Sequence, residues 1–466
     1  MPFPVSHLSE EEFKTLCQED IDSAWEQYRE LQRRLGLHSQ NSSKPPSTDL
    51  SKKKRNNSRE SGPRKSGGQK GHQGHTRELV DKPNAVIFCE VSDCNCGHQF
   101  TGDEEQIKSE RRQLIDIPPP QVNVIEYQAN TYRCPGCGQK HKAEFPIELK
   151  APVQYGHKLQ AYVVYLMNYQ LLPYKRTAEL LLNLHDLPIS EGTLRNILER
   201  FASNIETPVE MIKESLRDSD LVHFDESGLY ALGERHWLHV ASNDTHTFYF
   251  HHESRGFEAL EAAGILVEFK GVACHDLWKT YYKYDECDHS LCNAHHLRDL
   301  QGIIDSSDFI WPVKMKAFLQ KTKKLVDEAK SKRKEEFPES LVKELKIEYQ
   351  SILDIGESET PPPPERKPGK RGQIAKGKNY NLLERFDLRR EEITDFIDDF
   401  NRPFDNNQAE RDIRMVKVRQ KISGTFRNTK MAQNFCRTRS YISTAAKQGV
   451  NIFDAITCAF AGQFLI

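Results

Sequence analysis

Three acidic residues carry the chemistry this sequence is equipped for. Asp225 stands in LVHFDES beside apolar Val222 and Phe224, Asp276 ends a short apolar run in GVACHDLWKTY, and Glu410 lies in RPFDNNQAERDIRMVKVRQKISG. An acid at the end of each of two neighbouring strands sets two carboxylates together at a sheet edge, where like charges must share a proton or bind a cation. Hard oxygen ligands with open positions suit Mg²⁺ or Mn²⁺. Asp405, Asn406 and Asn407 offer capping chemistry for a helix that Glu410 would begin. On that helix Arg414, Lys417 and Lys421 follow Glu410 at i+4, i+7 and i+11, and so share its face. One acid turned to metal ions, with a row of cations behind it, is what a polyanionic substrate requires. Metal-bridged carboxylates activate the nucleophile at a phosphodiester while the cations hold the strand in register. Arg411, Arg419 and Arg427 complete the candidate phosphate contacts on this segment. Taken singly, each acid has a plainer reading, as a turn or cap residue or as half of a helical ion pair; the constellation is what points to catalysis.

The cysteines form a second set. Cys94-x-Cys96 and Cys134-x-x-Cys137, separated by 37 residues, fit tetrahedral Zn²⁺ in a small β module, with Cys89, His98 and His141 as alternative ligands. A further group holds Cys274, His275, Cys287, His289, Cys292, His295 and His296. Cys274 and Cys292 lie in short apolar runs, where a buried free thiol is the common state. With 11 cysteines, an odd number in a long chain, the pattern favours reduced thiols over a disulfide scaffold.

The elements that must position these groups are legible in outline. A charged segment over 1–36 carries Cys17, Ile21, Ala24, Tyr28, Leu31 and Leu35 at alternating steps of four and three, the seam of a short coiled coil or of a helix packed on its own domain. A basic linker over 37–84 follows. Between residues 51 and 77 it holds nine basic residues, including Lys52, Lys53, Lys54 and Arg55, against one acid, so a net charge of −2 for the chain conceals a cationic arm suited to phosphate backbones. The cysteine pairs frame a β-rich module over 85–150. Over 151–217 the pattern turns helical, and two helices joined by HDLPIS, with Ser190 as N-cap, read as a helix-turn-helix-like DNA-binding segment or as a helical hairpin of the core. Over 218–306, LVHFDES, HWLHVAS and HTFYFHH predict an antiparallel meander, followed by a helix near 256–263 and a strand near 271–275, an α/β layer. Charged helices and a proline-rich break fill 307–400, and helices resume from about residue 382, with 401–466 carrying Glu410 to the C-terminus. No apolar run approaches the roughly 18 residues needed to span a membrane, and no secretory leader is evident, so a cytoplasmic protein associated with DNA is expected.

The motifs SQNSSKPPS, GGQKGHQGH, RCPGCG, FDES, CHDLWKTY, LCNAHHLRDL and PFDNNQAER stand in an order that resembles the transposases of the insertion sequence sixty-six family, from about Leu35 to the end of the chain. The resemblance implies a multidomain α+β and α/β protein. Its parts would be a ribonuclease H-like catalytic core with a long helical insertion, a preceding zinc-finger-like module and helical DNA-binding segments. It implies a DDE triad of Asp225, Asp276 and Glu410 holding two Mg²⁺ or Mn²⁺ ions, structural Zn²⁺ at Cys94, Cys96, Cys134 and Cys137, and a supporting place for His295 near the scissile phosphate. The implied reaction is hydrolysis at a transposon end followed by attack of the freed 3′-OH on target DNA. Its partners would be transposon-end and target DNA, a second copy of the chain in the active complex, and accessory proteins of the same element. A DNA-binding protein without catalysis and a metal nuclease of the same fold are the competing expectations; the first tolerates loss of Asp225, and the second cleaves without joining.

Overall fold

A computed structural model describes Tyr28 and residues 77–103, 106–117, 121–361, 363 and 376–466. The N-terminal seam other than Tyr28, the cations Lys52, Lys53, Lys54 and Arg55, and most of the proline-rich break lie outside the described residues.

Short runs rich in apolar and aromatic residues, buried on both faces over much of their length, form three antiparallel strands, β3 (Leu221–Ala231), β4 (Glu234–Ser242) and β5 (Thr247–His252); the pair β1 (Thr131–Arg133) and β2 (Lys140–Lys142) belongs to the cysteine-rich module upstream. A short helix, α5 (Phe257–Ala263), then carries the chain across the sheet, so that β6 (Val272–His275) pairs parallel with β3 and β7 (Asp288–Leu291) parallel with β6. The five strands run in the order β5-β4-β3-β6-β7. A crossover between parallel strands needs a connection of this kind, which is why the helix predicted near 256–263 appears where it does. Gly271 opens β6: a Cβ there would stand 2.4 Å from the Ser219 carbonyl and 2.7 Å from that of Asp220, so a side chain would hold β6 away from the start of β3.

Helices cover both faces of the sheet. α1 (His157–Val164), α2 (Tyr174–His185), α3 (Glu191–Asn204) and α4 (Glu206–Arg217) form the 151–217 segment. Ser190 caps α3, its hydroxyl accepting from the Thr193 N–H at 3.1 Å, as predicted. Leu194, Ile197 and Phe201 of α3 pack in one core with Val222 and Phe224 of β3 and with Tyr441 and Ile456 near the C-terminus. The helix pair is thus built into the body of the sheet domain, and only one flank of α3, with Glu191, Arg195 and Asn196, faces solvent.

Downstream, α6 (Asn293–Ile304) follows β7, and the insertion comprises α7 (Trp311–Ser331), α8 (Glu339–Glu359), α9 (Lys378–Leu388) and α10 (Arg390–Asp398). The restart predicted near 382 comes earlier, at Lys378, because polar Lys378 and Asn379 open the helix ahead of its first buried residue, Leu382. The insertion has its own core around Trp311, Phe318, Tyr349, Phe386 and Phe396, joined to the sheet domain through Leu291 and Leu300. Two helices, α11 (Asn407–Ser423) and α12 (Thr429–Lys447), return to the sheet, and α13 (Ile452–Phe460) closes the chain. α11 lays Ala409, Ile413 and Val416 against Leu229, Leu238 and Val240. α12 runs beside the edge strand β5 and takes its free amides: the Thr247 N–H donates to the Thr444 hydroxyl at 3.1 Å and the Tyr249 N–H to the Ser440 hydroxyl at 2.8 Å. An edge that would otherwise template pairing with another chain is closed in this way. Among the described residues no helix is long and apolar enough to cross a membrane.

Candidate active site

Asp225 and Asp276 are placed by strand register. The last β3–β6 pair is His223 with Cys274, and each acid lies two residues beyond it, Asp225 within β3, which goes on with β4 alone, and Asp276 just past the end of β6. The turn that presents Asp276 is tightly specified. Leu277 takes a left-handed backbone conformation, φ 75°, unusual for a residue with a side chain. Its N–H donates to His275 Nδ1 at 3.1 Å, which fixes the His275 proton on Nε2, facing His289 Nδ1 at 3.0 Å; His289 Nε2 in turn reaches the Tyr284 carbonyl at 3.1 Å. Burial holds both imidazoles below their ordinary pKa, so this chain of bonds is neutral and ties the turn to β7. The Asp276 carboxylate itself accepts from the Trp278 N–H at 3.2 Å.

Glu410 arrives from far along the chain, in the first turn of α11, and Asn406 docks that turn. The Asn406 side chain is buried, but it does not cap its helix as the sequence suggests. Its amide nitrogen donates to the Phe224 carbonyl at 2.7 Å, its oxygen faces His223 Nδ1 at 2.8 Å, and its backbone N–H meets Cys292 Sγ at 3.1 Å. The side chain expected to satisfy α11 is spent instead on the strand that bears Asp225, and Asp405 takes part of the local task by accepting from the Asn407 N–H at 3.1 Å. His223 and Asp225, two apart on a strand, share a face; Asn406 therefore locks the Glu410 helix to the face on which Asp225 stands.

The electrostatics report the result. Burial raises the Asp225 carboxyl well above its ordinary pKa, and the negative charges of Glu226, Asp276 and Glu410 raise it further, against a single opposing hydrogen bond from the Glu226 N–H at 2.8 Å. The charges of Asp276 and Glu410, from two distant segments, thus reach Asp225, while among the described residues the three carboxylates are not gathered within 4.8 Å of one another. Glu410 Oε1 lies 3.3 Å from Arg298 Nη2 and 4.0 Å from His295 Nε2. Cys292, His295 and Glu410 bring a sulfur, a ring nitrogen and a carboxylate oxygen within 4.8 Å of one another. Burial pushes the Cys292 thiol up to about 12, so it stays protonated, and burial with the Arg298 charge keeps His295 neutral. The rest of the histidine and cysteine cluster divides into structural contacts, with Cys274 and Cys287 buried.

A fourth acid beside the site, Glu226, has no counterpart among the sequence candidates. It follows Asp225 on the strand, faces the opposite side, and its side chain is 1% exposed. Tyr281 donates to its Oε2 at 2.8 Å and Arg255 forms a two-pronged ion pair with its Oε1. The Arg255 guanidinium in turn lies over Trp278 at 4.5 Å and Trp237 at 5.2 Å. Its signal was in plain view, an acid directly after Asp225 in FDES, but without the fold nothing connected it to Arg255, 29 residues on. Arg298 and Asn406 were likewise beyond reach, since each matters through a partner more than 100 residues distant.

The predicted cations separate into two groups. Arg411, Arg414, Lys421 and Arg427 are exposed. Lys417 is half-buried and donates to the Gly228 carbonyl of β3 at 2.7 Å. Arg419 lies 3.4 Å over the Phe426 ring, and burial draws its pKa down to about 10. The face that Glu410 shares with Lys417 runs along the α11–β3 seam, so helical spacing correctly joined the residues but left open which of them meet water.

In the cysteine-rich module each pair forms its own tight turn. The Cys94 carbonyl accepts from the Gly97 N–H at 2.8 Å and that of Cys134 from the Gly138 N–H at 2.9 Å. Backbone amides directed at sulfur, with the neighbouring thiol, hold Cys96 and Cys134 below the ordinary thiol pKa, as a thiolate metal ligand requires. Among the described residues the two pairs are not gathered into one four-sulfur cluster.

Sequence-family comparison agrees with this arrangement. The zinc-finger binding domain of transposase IS66 matches residues 92–138, which span both cysteine pairs. A family of unknown function matches residues 4–78, nearly all outside the described residues. Comparison with curated proteins gives no match. The model of the Transposase IS66 family matches residues 152–434, more than half of the chain and the whole stretch from the helix pair through Asp225, Asp276, the insertion and Glu410 to α12, and the protein belongs to that family.

Proposed function

We propose that this transposase cuts and joins DNA strands with Asp225, Asp276 and Glu410 as its catalytic carboxylates, on a sheet of ribonuclease H-like form. The observation that carries the proposal is placement: strand register sets Asp225 beside Asp276, and Asn406 ties the first turn of the Glu410 helix to the Asp225 strand, where burial first and then the charges of Glu226, Asp276 and Glu410 raise the Asp225 carboxyl. Such a group is costly to the protein unless a cation relieves it, and the oxygen donor set fits Mg²⁺ or Mn²⁺. Two such ions bound there would activate the attacking oxygen and stabilise the leaving oxygen of a phosphodiester. The chain's own groups supply placement. Asp225 and Asp276 are fixed by β3, β6 and the Leu277 turn. Arg298 holds the Glu410 carboxylate, and neutral His295, 4.0 Å from it, would supply a hydrogen-bond donor to a phosphate oxygen bound beside the acids. In the first step water attacks phosphorus at a transposon end and the 3′-oxygen leaves as a 3′-OH; in the second that 3′-OH loses its proton and attacks a target phosphodiester in line, and the target strand's own 3′-oxygen leaves with a proton.

Arg411, Arg414, Lys421 and Arg427, with the Lys52–Arg55 run, are the phosphate contacts of this reading, and Lys417 and Arg419 shape the surface that presents them. Cys94, Cys96, Cys134 and Cys137 hold structural Zn²⁺ in the module that helps grip DNA. Two ends must be joined, so the active assembly contains at least two copies, with accessory proteins of the element as further partners. The test is incubation of the protein with a duplex bearing the element's end, comparing Mg²⁺ with chelator and wild type with Glu410→Gln. Strand cleavage should require Mg²⁺ and fall by at least about 10³-fold in the variant while DNA binding persists. Undiminished cleavage by Glu410→Gln would remove Glu410 from the mechanism, and failure of pre-cut 3′-OH ends to join would reduce the protein to a nuclease.

A further inference from the structure

Cys292 and His295 stand at the start of α6, Cys292 as its N-cap and His295 three residues on, so helical spacing sets both on one side. Glu410 comes to the same side from the first turn of α11. The thiol sulfur, an imidazole nitrogen and a carboxylate oxygen of the three lie within 4.8 Å of one another. The proposed cleavage chemistry uses Glu410 and His295 and gives the sulfur nothing to do. Nor does the fold spend it as a helix cap, since the Cys292 side chain makes no capping bond. The sulfur accepts from the Asn406 N–H at 3.1 Å, and an amide aimed at sulfur favours its thiolate form. The His295 ring is poorly satisfied on both sides. Its Nδ1 is covered without a hydrogen-bond partner, and its Nε2 meets Glu410 Oε1 only at 4.0 Å, beyond hydrogen-bond reach.

We propose that Cys292, His295 and Glu410 form a binding site for Zn²⁺ that withdraws Glu410 from the catalytic carboxylates and so inhibits strand cleavage. The inference rests on the reading of Glu410 as a catalytic carboxylate and adds a regulation of that same site. The donor set selects the ion. Thiolate and imidazole suit Zn²⁺, whereas Mg²⁺ takes oxygen ligands, so the two ions are sorted between neighbouring sites that share one carboxylate. The geometry is close to what zinc needs. Tetrahedral bonds of about 2.3 Å to sulfur and about 2.0–2.1 Å to nitrogen and oxygen separate the ligand atoms by roughly 3.3–3.6 Å. Donors within 4.8 Å reach that separation by side-chain movements on the order of 1 Å. The Glu410 and His295 side chains are 29% and 27% exposed, which leaves the ion a way in, while buried Cys292 forms the back of the site. Three protein ligands leave the fourth position to water. The thiol gives its proton to solvent as the ion binds, and the cation then offsets the charge of the buried sulfur. Negative charge from Glu410, Asp276 and Asp299 reaches His295, against the positive charge of Arg298. Arg298 is the opposing group, with Nη2 at 3.3 Å from Glu410 Oε1. Its hydrogen bond engages one of the two carboxylate oxygens and its side chain is 30% exposed, so it turns to water when a divalent ion takes the carboxylate. That cost, and a single thiolate, make the site weaker than a four-sulfur zinc: the ion leaves on dialysis and returns when zinc is added.

The experiment compares the full chain, dialysed after zinc loading, with Cys292→Ser, which keeps an acceptor for the Asn406 N–H but is a poor zinc ligand. Bound zinc is counted by equilibrium dialysis at micromolar free Zn²⁺, and cleavage of a duplex bearing the element's end is followed in Mg²⁺ with and without that zinc. Wild type should take up about one Zn²⁺ per chain more than Cys292→Ser. Zinc should slow wild-type cleavage at least about tenfold and that of Cys292→Ser by less than about twofold, each against its own zinc-free rate. Equal zinc uptake by the two proteins would overturn the site and leave the catalytic role of Glu410 untouched. Equal slowing of both would place the inhibitory zinc elsewhere, which also overturns it. Extra zinc on wild type without slower cleavage would show that Glu410 is not withdrawn, and refutes the proposal as well. Cleavage by neither protein in Mg²⁺ alone would sink the catalytic reading and the regulation with it. Should Cys292→Ser fail to fold, Co²⁺ added to zinc-loaded wild type and to Glu410→Gln gives an independent answer. A thiolate-to-cobalt absorption band in wild type that weakens in Glu410→Gln supports the site; no band, or one that the substitution leaves unchanged, refutes it.

Discussion

Asp225 shows what it means for a residue to be placed against its own preference. Its folded pKa lies above its ordinary value, through burial first and then the charges of Glu226, Asp276 and Glu410. A carboxyl raised in this way contributes stability below its unfolded pKa, and that contribution is lost as pH rises through the folded pKa. The metal-free protein should therefore be more stable as Asp225→Asn than as wild type near pH 8, with a rise in melting temperature of about 2–4 °C for each kcal/mol of repulsion relieved. Added Mg²⁺ should stabilise the wild type and leave the variant unmoved. Thermal denaturation with and without Mg²⁺ checks both halves; a variant less stable than wild type without metal would mean that the carboxylate is structural. The sequence placed Asp276 correctly just past a strand end, but Asp225, expected at another strand end, lies inside β3, which runs on to Ala231 because β4 continues to pair with it after β6 has stopped. Glu226 escaped because its partners, Arg255 and Tyr281, are assembled by α5 and the turn after Asp276.

At the scale of elements, the meander, the α5 crossover and the capped helix pair were readable because each is local: turn residues, alternation and one Ser190 cap decide them. The docking of α11 was not, since it depends on Asn406 reaching β3 across 182 residues. Asn406→Ala would strand the Phe224 carbonyl and the His223 ring without partners. We expect a loss of roughly 2–4 kcal/mol in denaturant unfolding, with strand cleavage falling further than DNA binding, because Glu410 loses its register with Asp225. Equal losses in binding and cleavage would show that Asn406 only supports the fold. The insertion makes a contrasting contact. On α10 both carboxylate oxygens of Asp395 are covered without a hydrogen bond of good geometry, and burial, outweighing the nearby Ser290 hydroxyl and the Arg402 charge, pushes the group up to about 7. The folded pKa again exceeds the unfolded one, so stability should decline between about pH 4 and pH 7, by up to about 1.4 kcal/mol per unit, and level off above. Asp395→Asn should flatten that slope; an unchanged slope in urea unfolding across this range would place the titration elsewhere.

For the molecule as a whole, the contrast lies between a body with continuous cores and a cysteine-rich module with almost none. In the described parts of 85–150 the apolar side chains Ile87, Ile107, Leu114, Ile117 and Val124 are all at least 85% exposed, and the regular structure amounts to one three-residue strand pair. Burial on that scale cannot offset the entropy of ordering the chain. What order there is centres on two sulfur turns, and a module of this kind is held by its metal or not held at all. This is why sequence spacing could propose ligands yet could not supply a core to put around them. The protein should therefore be isolated with about one Zn²⁺ per chain, and Cys134→Ala should lose it. Proteolysis of that variant should begin within 85–150, while the fragment beginning near residue 152 resists and keeps the melting transition of the body. DNA affinity should fall, since the module would no longer present its surface, yet Mg²⁺ should still raise the melting temperature, because Asp225, Asp276 and Glu410 stand on the sheet and α11, outside residues 85–150. Metal analysis, limited proteolysis and a melting curve on one preparation decide the matter. Full retention of zinc by Cys134→Ala would move the ligand set to Cys89, His98 or His141, and loss of the body's own transition would show that the two parts fold as one.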